Sequence, residues 1–258
     1  DPESLVTHGL NLRPGQDGQS TLYVVGHGGR EAIEVFGVDA SGATPMLTWI
    51  GCVMTPGAME ANSVASFEDG SLVVTIPLER GKTVSDALAG DNTGAVYSWS
   101  PGDKAMRKVE GTELPYANGI EVSADGNEIY VVSSGLFTVG AYSNSNPARL
   151  LRSTGPLGFI PDNLHMDENG RLITAGLNVE SDTCGTVIRT REFSLEEFAA
   201  CPRPYTVWEI EPKSMQGRAL ATGPADKRFS NITMAVPMNG QVWIGTFAGD
   251  RVAYQDVN

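Results

Sequence analysis

The sequence predicts an all-β fold, a six-bladed β-propeller, from three observations. A strand–turn–strand pattern recurs along the 258 residues, each copy opens on a polar residue, and four copies carry an Asp-Gly or Asn-Gly turn. Such dipeptides between apolar runs are strong hairpin signals. Repeats of short strands about 40–50 residues apart are typical of propeller blades. We therefore expect residues 1–258 to form a single propeller domain.

The repeats give the number of blades within the chain. Their opening residues are His8, Asn62, Asn118, Asn163 and Asn231. Third or fourth strands are predicted at residues 31–38, 46–50 and 94–100. This gives about four and a half blades, and an open ring would expose strand edges. Either the ring closes with few blades, or roughly one to one and a half blades are missing from the front of the chain. We expect the second, a six-bladed ring whose N-terminal blade portion is absent from the chain, with a separate N-terminal polypeptide as a candidate to complete it.

One short helix is predicted inside the fourth repeat, near residues 194–201. Ser194 followed by Glu197 resembles a capping box, and Pro202 ends the segment. This helix lies in an insertion of residues 178–204. The insertion is either a lid over one end of the channel or a decoration of the surface.

Composition excludes some classes of function and leaves the location open. The net charge of −13 argues against binding to nucleic acid, which needs a basic face. No run of 18 apolar residues is present, so no membrane span is expected. Cys184 and Cys201 flank the irregular part of the insertion and can pair, which would favour a periplasmic or secreted protein. Cys52 would then be left unpaired. The alternative is that all three cysteines are reduced thiols.

The polar residues that open the repeats are candidate metal ligands. Inner strands of a propeller begin at the same end of the channel, so Asn62, Asn118 and the adjacent Asp162 and Asn163 are expected to converge. Their oxygens suit Ca²⁺, which takes 6–8 oxygen ligands. Because only Asp162 is anionic, a bound Ca²⁺ would keep positive charge and polarise a carbonyl group. The alternative is that Asn and Asp are good turn and cap residues.

His8 and His27 are the candidate catalytic residues. His8 opens the first inner strand and His27 ends the following strand, so a hairpin can bring both to the same end of the channel. Two imidazoles in contact can share a proton, one acting as general base while the other orients it. The alternative is a structural role for both.

Short motifs carry a resemblance to a known family. They are Thr7–Leu10, Leu22–His27, Ile33–Phe36, Ala61–Asn62, Tyr116–Ile120, Pro161–Asn163 and Val242–Thr246. In order and spacing they resemble segments of the paraoxonase/arylesterase family. The wider superfamily contains the calcium-dependent gluconolactonase and regucalcin-like six-bladed propellers.

The resemblance implies hydrolysis of lactones, and often of aryl esters, at a calcium ion in the channel. It implies that His8 is the general base, that His27 supports it, and that Tyr116 forms an aromatic wall of the pocket. One catalytic Ca²⁺ would be held by the four oxygen ligands named above. The family has a further Glu ligand upstream of the chain's first residues. Ser63 replaces the Asp of a second, structural calcium site, so a second ion is not expected.

Other functions remain open at this stage. They are a sugar lactonase of the gluconolactonase type, a non-hydrolytic propeller resembling strictosidine synthase, and a propeller that only binds a ligand. The strictosidine synthase-like branch generally lacks the Asn/Asp set found here. Tyr116, Phe159, Ile160 and the Phe residues at 193 and 198 indicate an apolar mouth. That favours a hydrophobic or aromatic lactone over a sugar lactone as the small-molecule partner.

Overall fold

The computed structural model describes residues 4–187 and 192–257, which form five antiparallel sheets in chain order. The first contains β1 (Leu5–Pro14), β2 (Gln19–Gly28), β3 (Ala32–Asp39) and β4 (Met46–Met54). The second contains β5 (Val64–Ser66), β6 (Leu72–Ile76), β7 (Ala95–Trp99) and β8 (Arg107–Lys108). The third contains β9 (Ala117–Val122), β10 (Glu128–Ser133), β11 (Thr138–Ser143) and β12 (Leu150–Ser153). The fourth contains β13 (Phe159–Met166), β14 (Leu172–Asn178), β15 (Tyr205–Glu211) and β16 (Gln216–Gly223), and the fifth contains β17 (Ile232–Met238), β18 (Gln241–Thr246) and β19 (Ala253–Asp256).

Each sheet is one blade of a β-propeller. The first strands of successive sheets lie side by side, β1 next to β5, β5 next to β9, β9 next to β13 and β13 next to β17. They are therefore the inner strands. The all-β propeller architecture is confirmed.

The prediction of six blades is wrong, because the described residues form five sheets. Each sheet coincides with one sequence repeat, and the first sheet already has all four strands. The number of repeats in the sequence therefore equals the number of blades. The sixth blade, by contrast, was inferred from the need to close a ring and from family resemblance, and no repeat in the sequence encodes it.

The core lies between neighbouring blades. One apolar cluster joins Val25 and Ile33 of the first blade to Val74 of the second, and similar clusters join the later blades. Burial of such side chains contributes roughly 1.5–3 kcal/mol each. The inner strands β1 and β17 differ, since Leu10, Leu12, Val236 and Met238 are exposed on them. Continuous core packing therefore ends at the first and fifth blades.

Two short α-helices and one 3-10 turn, Pro56–Ala58, connect strands in the described part of the chain. α2 (Leu195–Ala200) begins where the sequence indicates, with the Ser194 hydroxyl accepting from the Glu197 amide. The insertion is closed by a disulfide between Cys184 and Cys201, and Cys52 is a free cysteine. Neither helix in the described ranges is long and apolar enough to cross a membrane.

The other helix, α1 (Val84–Ala89), was not predicted. Thr83 and Asp86 form a full capping box at its start, and Gly90 ends it with a φ of 97°. Asp replaces the usual Glu of that box, and six residues are too few to show helical periodicity. These two features explain why the sequence pattern does not predict α1.

Candidate active site at the entry face

The inner strands begin, and the second strands end, at one face of the molecule, which we call the entry face. Phe159 at the start of β13 pairs with Asn178 at the end of β14, and the 178–204 insertion leaves from this point. The turn after His27 and the connection that contains α1 lie at the same ends of their strands. Residues that open different repeats are therefore gathered at one face.

A bulge of two residues occurs at the same level in three inner strands, and β17 has a bulge of one residue at Thr233. The pairing shifts between Thr7 and Leu10, between Ala117 and Ile120, and between Pro161 and Leu164. The residues inside these bulges are His8-Gly9, Asn118-Gly119 and Asp162-Asn163. A bulge places two residues of one strand opposite a single residue of its partner and changes the direction of the side chains. It therefore determines where these polar groups point. All of these bulge residues except the two glycines are predicted site residues.

Glycine allows neighbouring inner strands to touch at this level. A Cβ on Gly9 would lie 2.4 Å from the carbonyl oxygen of Asn62, and one on Gly119 would lie 2.5 Å from that of Asp162. The Gly9 amide also donates to the Asn62 carbonyl at 3.1 Å. Close approach therefore places His8 beside Asn62 and Asn118 beside Asp162.

Hydrogen bonds join the later blades at the same level. Thr75 Oγ1 donates to the Asn118 carbonyl at 2.6 Å, and Ser134 Oγ donates to the Pro161 carbonyl at 2.7 Å. Asn163 Nδ2 donates to the Thr233 carbonyl at 3.4 Å. Each bond crosses from one blade to the next. The opening residues are thus held in a fixed arrangement by neighbouring blades.

The amide of Asn118 is oriented by its neighbours. Its Nδ2 lies 2.9 Å from Ser134 Oγ, and that hydroxyl already donates to Pro161, so Ser134 can only accept from Asn118. Oδ1 of Asn118 is left without a hydrogen-bond partner in the described structure, and so is Oδ1 of Asn62. A buried polar atom without a partner costs about 1–3 kcal/mol. Both oxygens therefore need a donor or a cation.

Asp162 adds the one carboxylate of the predicted ligand set. It is half-buried, and desolvation raises the pKa of its carboxyl to about 7, although a hydrogen bond from Asn118 lowers the pKa in part. Within the described ranges no three His, Cys, Asp or Glu side chains cluster as a metal site. Amide oxygens with a single carboxylate suit a hard cation such as Ca²⁺ and do not suit Zn²⁺. The residues present therefore fit the predicted calcium ion.

His8, His27 and Glu31 form a hydrogen-bonded chain at the entry face. His8 Nδ1 lies 3.2 Å from His27 Nε2, and His27 Nδ1 lies 2.6 Å from a carboxylate oxygen of Glu31. A carboxylate can only accept, so His27 Nδ1 carries a proton, and in the neutral form of this ring Nε2 is the acceptor. His8 must then donate from Nδ1, which leaves a lone pair on His8 Nε2. This tautomer makes His8 the terminal base of the chain.

Nearby groups adjust the titration of His8. Its ring is exposed on β1, yet partial desolvation lowers its pKa, as does the neighbouring His27, while the charge of Glu60 raises it. The charge of Glu60 also acts on Tyr116. Desolvation raises the pKa of Tyr116 to about 12, and the charges of Asp162 and Glu60 contribute to the same shift. His8 is therefore neutral and Tyr116 protonated at neutral pH.

The predicted pocket residues occupy different surroundings. Phe159 is buried and packs against Trp208, with ring centroids 6.3 Å apart. Ile160 is half-buried and packs in an apolar cluster with Phe193 and Phe198 of the insertion. Tyr116 is half-buried at the residue before β9. Tyr116 and Ile160 therefore offer apolar surface at the entry face, while Phe159 is buried inside the blade.

Sequence reasoning missed two acidic residues of this region, Glu31 and Glu60. Glu31 reads as the polar start of an alternating strand, and only its spacing of four residues from His27 could have drawn attention to it. Glu60 precedes Asn62 by two residues, as Tyr116 precedes Asn118. Alignment of the repeats by their turns could therefore have found Glu60.

Comparison with known proteins assigns the chain to a family. Residues 33–202, about two thirds of the chain, match the SMP-30/Gluconolactonase/LRE-like region. The chain belongs to this family. No curated protein matches the sequence.

Solved structures resemble the fold at low sequence identity. Hydrazine synthase of Kuenenia stuttgartiensis has a TM-score of 0.54 and 19% identity, over 90% of this chain and 54% of that one. A gluconolactonase of Xanthomonas campestris has a TM-score of 0.53 and 15% identity, over 92% of this chain and 69% of that one. A luciferin-regenerating enzyme has a TM-score of 0.51 and 16% identity, over 93% and 69%. The chain therefore spans about half to two thirds of these proteins, and the likeness concerns the fold.

Proposed function

We propose that the protein is a calcium-dependent lactonase, with its active site at the entry face. The observation that carries the proposal is the coincidence of two features at one level of the channel. Buried amide oxygens of Asn62 and Asn118 lack partners, and a His8–His27–Glu31 chain presents a free basic nitrogen beside them. The first feature suits a hard cation, and the second suits activation of water.

The chain's own residues divide the work as follows. Asn62, Asn118, Asp162 and Asn163 would hold the ion, which when bound supplies a Lewis acid for the lactone carbonyl. His8 Nε2 takes a proton from a water molecule as the water oxygen attacks the carbonyl carbon. His27 accepts the hydrogen bond from His8, and the Glu31 carboxylate stabilises the positive charge that develops on the imidazoles. The proton on His8 then passes to the ring oxygen as its bond to the carbonyl carbon breaks.

Family membership and residue pattern support this reading together. The SMP-30/Gluconolactonase/LRE-like match makes lactone hydrolysis the first candidate, and one protein of similar fold is a gluconolactonase. The paraoxonase-like motifs around His8 and His27 extend the proposal to aryl esters as secondary substrates. The disulfide between Cys184 and Cys201 favours an exported protein, because such bonds persist in oxidising compartments.

The test compares lactone hydrolysis and calcium binding in matched variants. Asn118→Ala and Asp162→Asn should weaken calcium binding in calorimetry and lower kcat/KM by at least about 100-fold, within the range lost with an electrophilic group. Asn169→Ala is the matched control, because Asn169 is an exposed turn residue of the same blade as Asp162. Full lactonase activity in excess chelator would refute the role of the metal. Full activity of both His8→Gln and His27→Gln would refute the role of the dyad.

A further inference from the structure

The outer strands of the five blades differ in the charge of their open edges. The outer strand of each sheet pairs on one side only, so backbone N–H and C=O groups on its other side stay unpaired. Proteins commonly protect such edges from other chains with charged side chains. Outer strands with a charge are β8 with Arg107 and Lys108, β12 with Arg152, β16 with Arg218, and β19 with Asp256. The remaining outer strand, β4, has no charged residue.

β4 also has the most apolar surface of these edges. The uncharged stretch of sequence around it extends over residues 40–59. Five of its nine residues are large apolar side chains that are at least half exposed, from 50% at Met54 to 64% at Met46. By comparison, β12 exposes two large apolar side chains and β19 exposes one. An exposed apolar edge without charges is a site for strand pairing with another chain.

The first half of β4 forms the open part of this edge. All residues from Met46 to Ile50 are exposed, and Met46–Trp49 pair with β3 in regular register up to a bulge at Ile50. Met46, Leu47 and Ile50 take part in none of the apolar clusters of the described residues. Their apolar surface therefore stays in water unless another chain covers it.

A second copy of the chain is the partner that fits this edge. With a net charge of −13, two copies repel each other, and they approach most easily where both surfaces are uncharged. A two-fold axis at the edge brings β4 antiparallel to itself, an arrangement in which two edges form hydrogen bonds directly. The segment Met46–Trp49 would then meet an identical apolar segment, with no like charges opposite each other.

We propose that the protein forms a two-fold symmetric dimer in which β4 pairs with β4 of a second copy. The two first sheets then form one continuous sheet, and Leu47 and Ile50 of each copy are covered. Met46 pairs with Asp39 at the far end of β3, so the contact lies toward the face opposite the entry face. The dimer therefore leaves the entry face open, and it does not depend on the proposed lactonase function.

Analytical ultracentrifugation tests the dimer. The mass of the wild type should rise with concentration to twice the monomer mass and no further. Leu47→Lys brings two ammonium groups to the paired edge, one from each copy. It should raise the dissociation constant at least about tenfold, because like charges across paired strands repel each other. Ile50→Lys is a second variant with the same expected effect.

Leu150→Lys is the matched control. Leu150 is as exposed as Leu47, at 56% against 58%, but it lies on the outer strand β12. Its dissociation constant should stay at the wild-type value. Because all of these side chains are exposed, each variant should fold, and an unchanged Tm at a concentration where the protein is monomeric verifies this.

Hydrogen exchange locates the contact. The amides of Met46–Trp49 should exchange more slowly above the dissociation constant than below it, and Leu47→Lys should lose this protection. Higher salt should strengthen the dimer, because it screens the repulsion between two acidic copies.

Several outcomes would overturn the proposal. A wild type that stays monomeric at every concentration would leave the edge to a different polypeptide, and open-ended growth would exclude a two-fold contact. Dimerisation of Leu47→Lys and Ile50→Lys with the wild-type dissociation constant would exclude β4. An equal loss in Leu150→Lys, or protection confined to other strands, would place the interface elsewhere.

Discussion

Glu31 decides which nitrogen of His8 is free to accept a proton. Its carboxylate fixes the proton on His27 Nδ1, and the two histidines then align so that His8 Nε2 is basic. Glu31→Gln removes the negative charge and allows an amide to donate to His27, which would reverse the chain. We expect kcat/KM for lactones to fall about 10- to 100-fold, part of the 10²- to 10⁴-fold that a general base contributes.

Glu34→Gln is the matched control for this variant. Glu34 lies on the same blade, but its carboxylate pairs with Arg30 and accepts from Trp49 instead of a histidine. Its loss should lower stability without lowering kcat/KM of the folded protein. Equal activity of the two variants would show that Glu31 has no part in orienting the base.

The pKa of His8 sets the acidic limit of activity. Desolvation and His27 both lower this pKa from its ordinary value of 6.5. A base works only when unprotonated, so the acidic limb of a plot of kcat/KM against pH should lie below pH 6.5. Glu60 opposes the shift, and Glu60→Gln should move the limb further toward acid. A limb above pH 6.5, or one moved toward alkali in Glu60→Gln, would contradict this assignment.

At the scale of residues, the sequence predicts which side chains are candidates for catalysis better than it predicts the residues that orient them. His8 and His27 could be paired from hairpin geometry alone, and the structure brings them into contact. Glu31 could not be assigned in this way, because it contacts His27 through a turn whose shape is not encoded by hydrophobic alternation.

Among the elements, the inner-strand bulges depend on glycine at the contact between blades. A Cβ on Gly119 would lie 2.5 Å from both the Asp162 carbonyl oxygen and the Leu164 amide nitrogen. Since these are backbone atoms, they can move only if β13 moves. We expect Gly119→Ala to lower the free energy of unfolding by about 1–3 kcal/mol, as overpacking does. Urea denaturation measures that loss, and calorimetry should show weaker calcium binding.

Gly37→Ala is the matched control. Gly37 lies in β3, and a Cβ there would meet the Thr48 carbonyl oxygen at 3.8 Å, an ordinary contact. This variant should bind calcium like the wild type. If Gly119→Ala also bound calcium normally, the close approach of β9 and β13 would not be what positions the ligands.

Elements with regular sequence signals were the predictable part of the fold. The strand–turn–strand repeats, the strand near residues 94–100 and helix α2 follow from alternation, turn dipeptides and an N-cap. Helix α1 and the number of blades do not. Six residues are too short for a periodic signal, and blade number is a property of packing between repeats that no single repeat carries.

For the whole molecule, the proposed calcium ion would act as a clamp between blades. Its ligands come from the inner-strand segments of the second, third and fourth blades, through Asn62, Asn118 and the Asp162-Asn163 pair. An ion that binds the folded state alone stabilises it by RT ln(1 + [Ca²⁺]/Kd), about 2.7 kcal/mol at 100 times Kd. Chelation should therefore lower Tm, and the fall should grow with the logarithm of the calcium concentration removed.

Variants of two aspartates distinguish stabilisation by the calcium ion from stabilisation that does not depend on calcium. Asp162→Asn removes a desolvated carboxylate, so the calcium-free protein should be at least as stable as the wild type while the calcium-dependent rise in Tm disappears. Asp125→Asn weakens an exposed turn, where the carboxylate accepts from Ser123 and Asn127. It should lower Tm equally with and without calcium. If the calcium-dependent rise in Tm persisted in Asp162→Asn, the ion would bind elsewhere. The bulges of the inner strands would then not position the ligands of the proposed reaction.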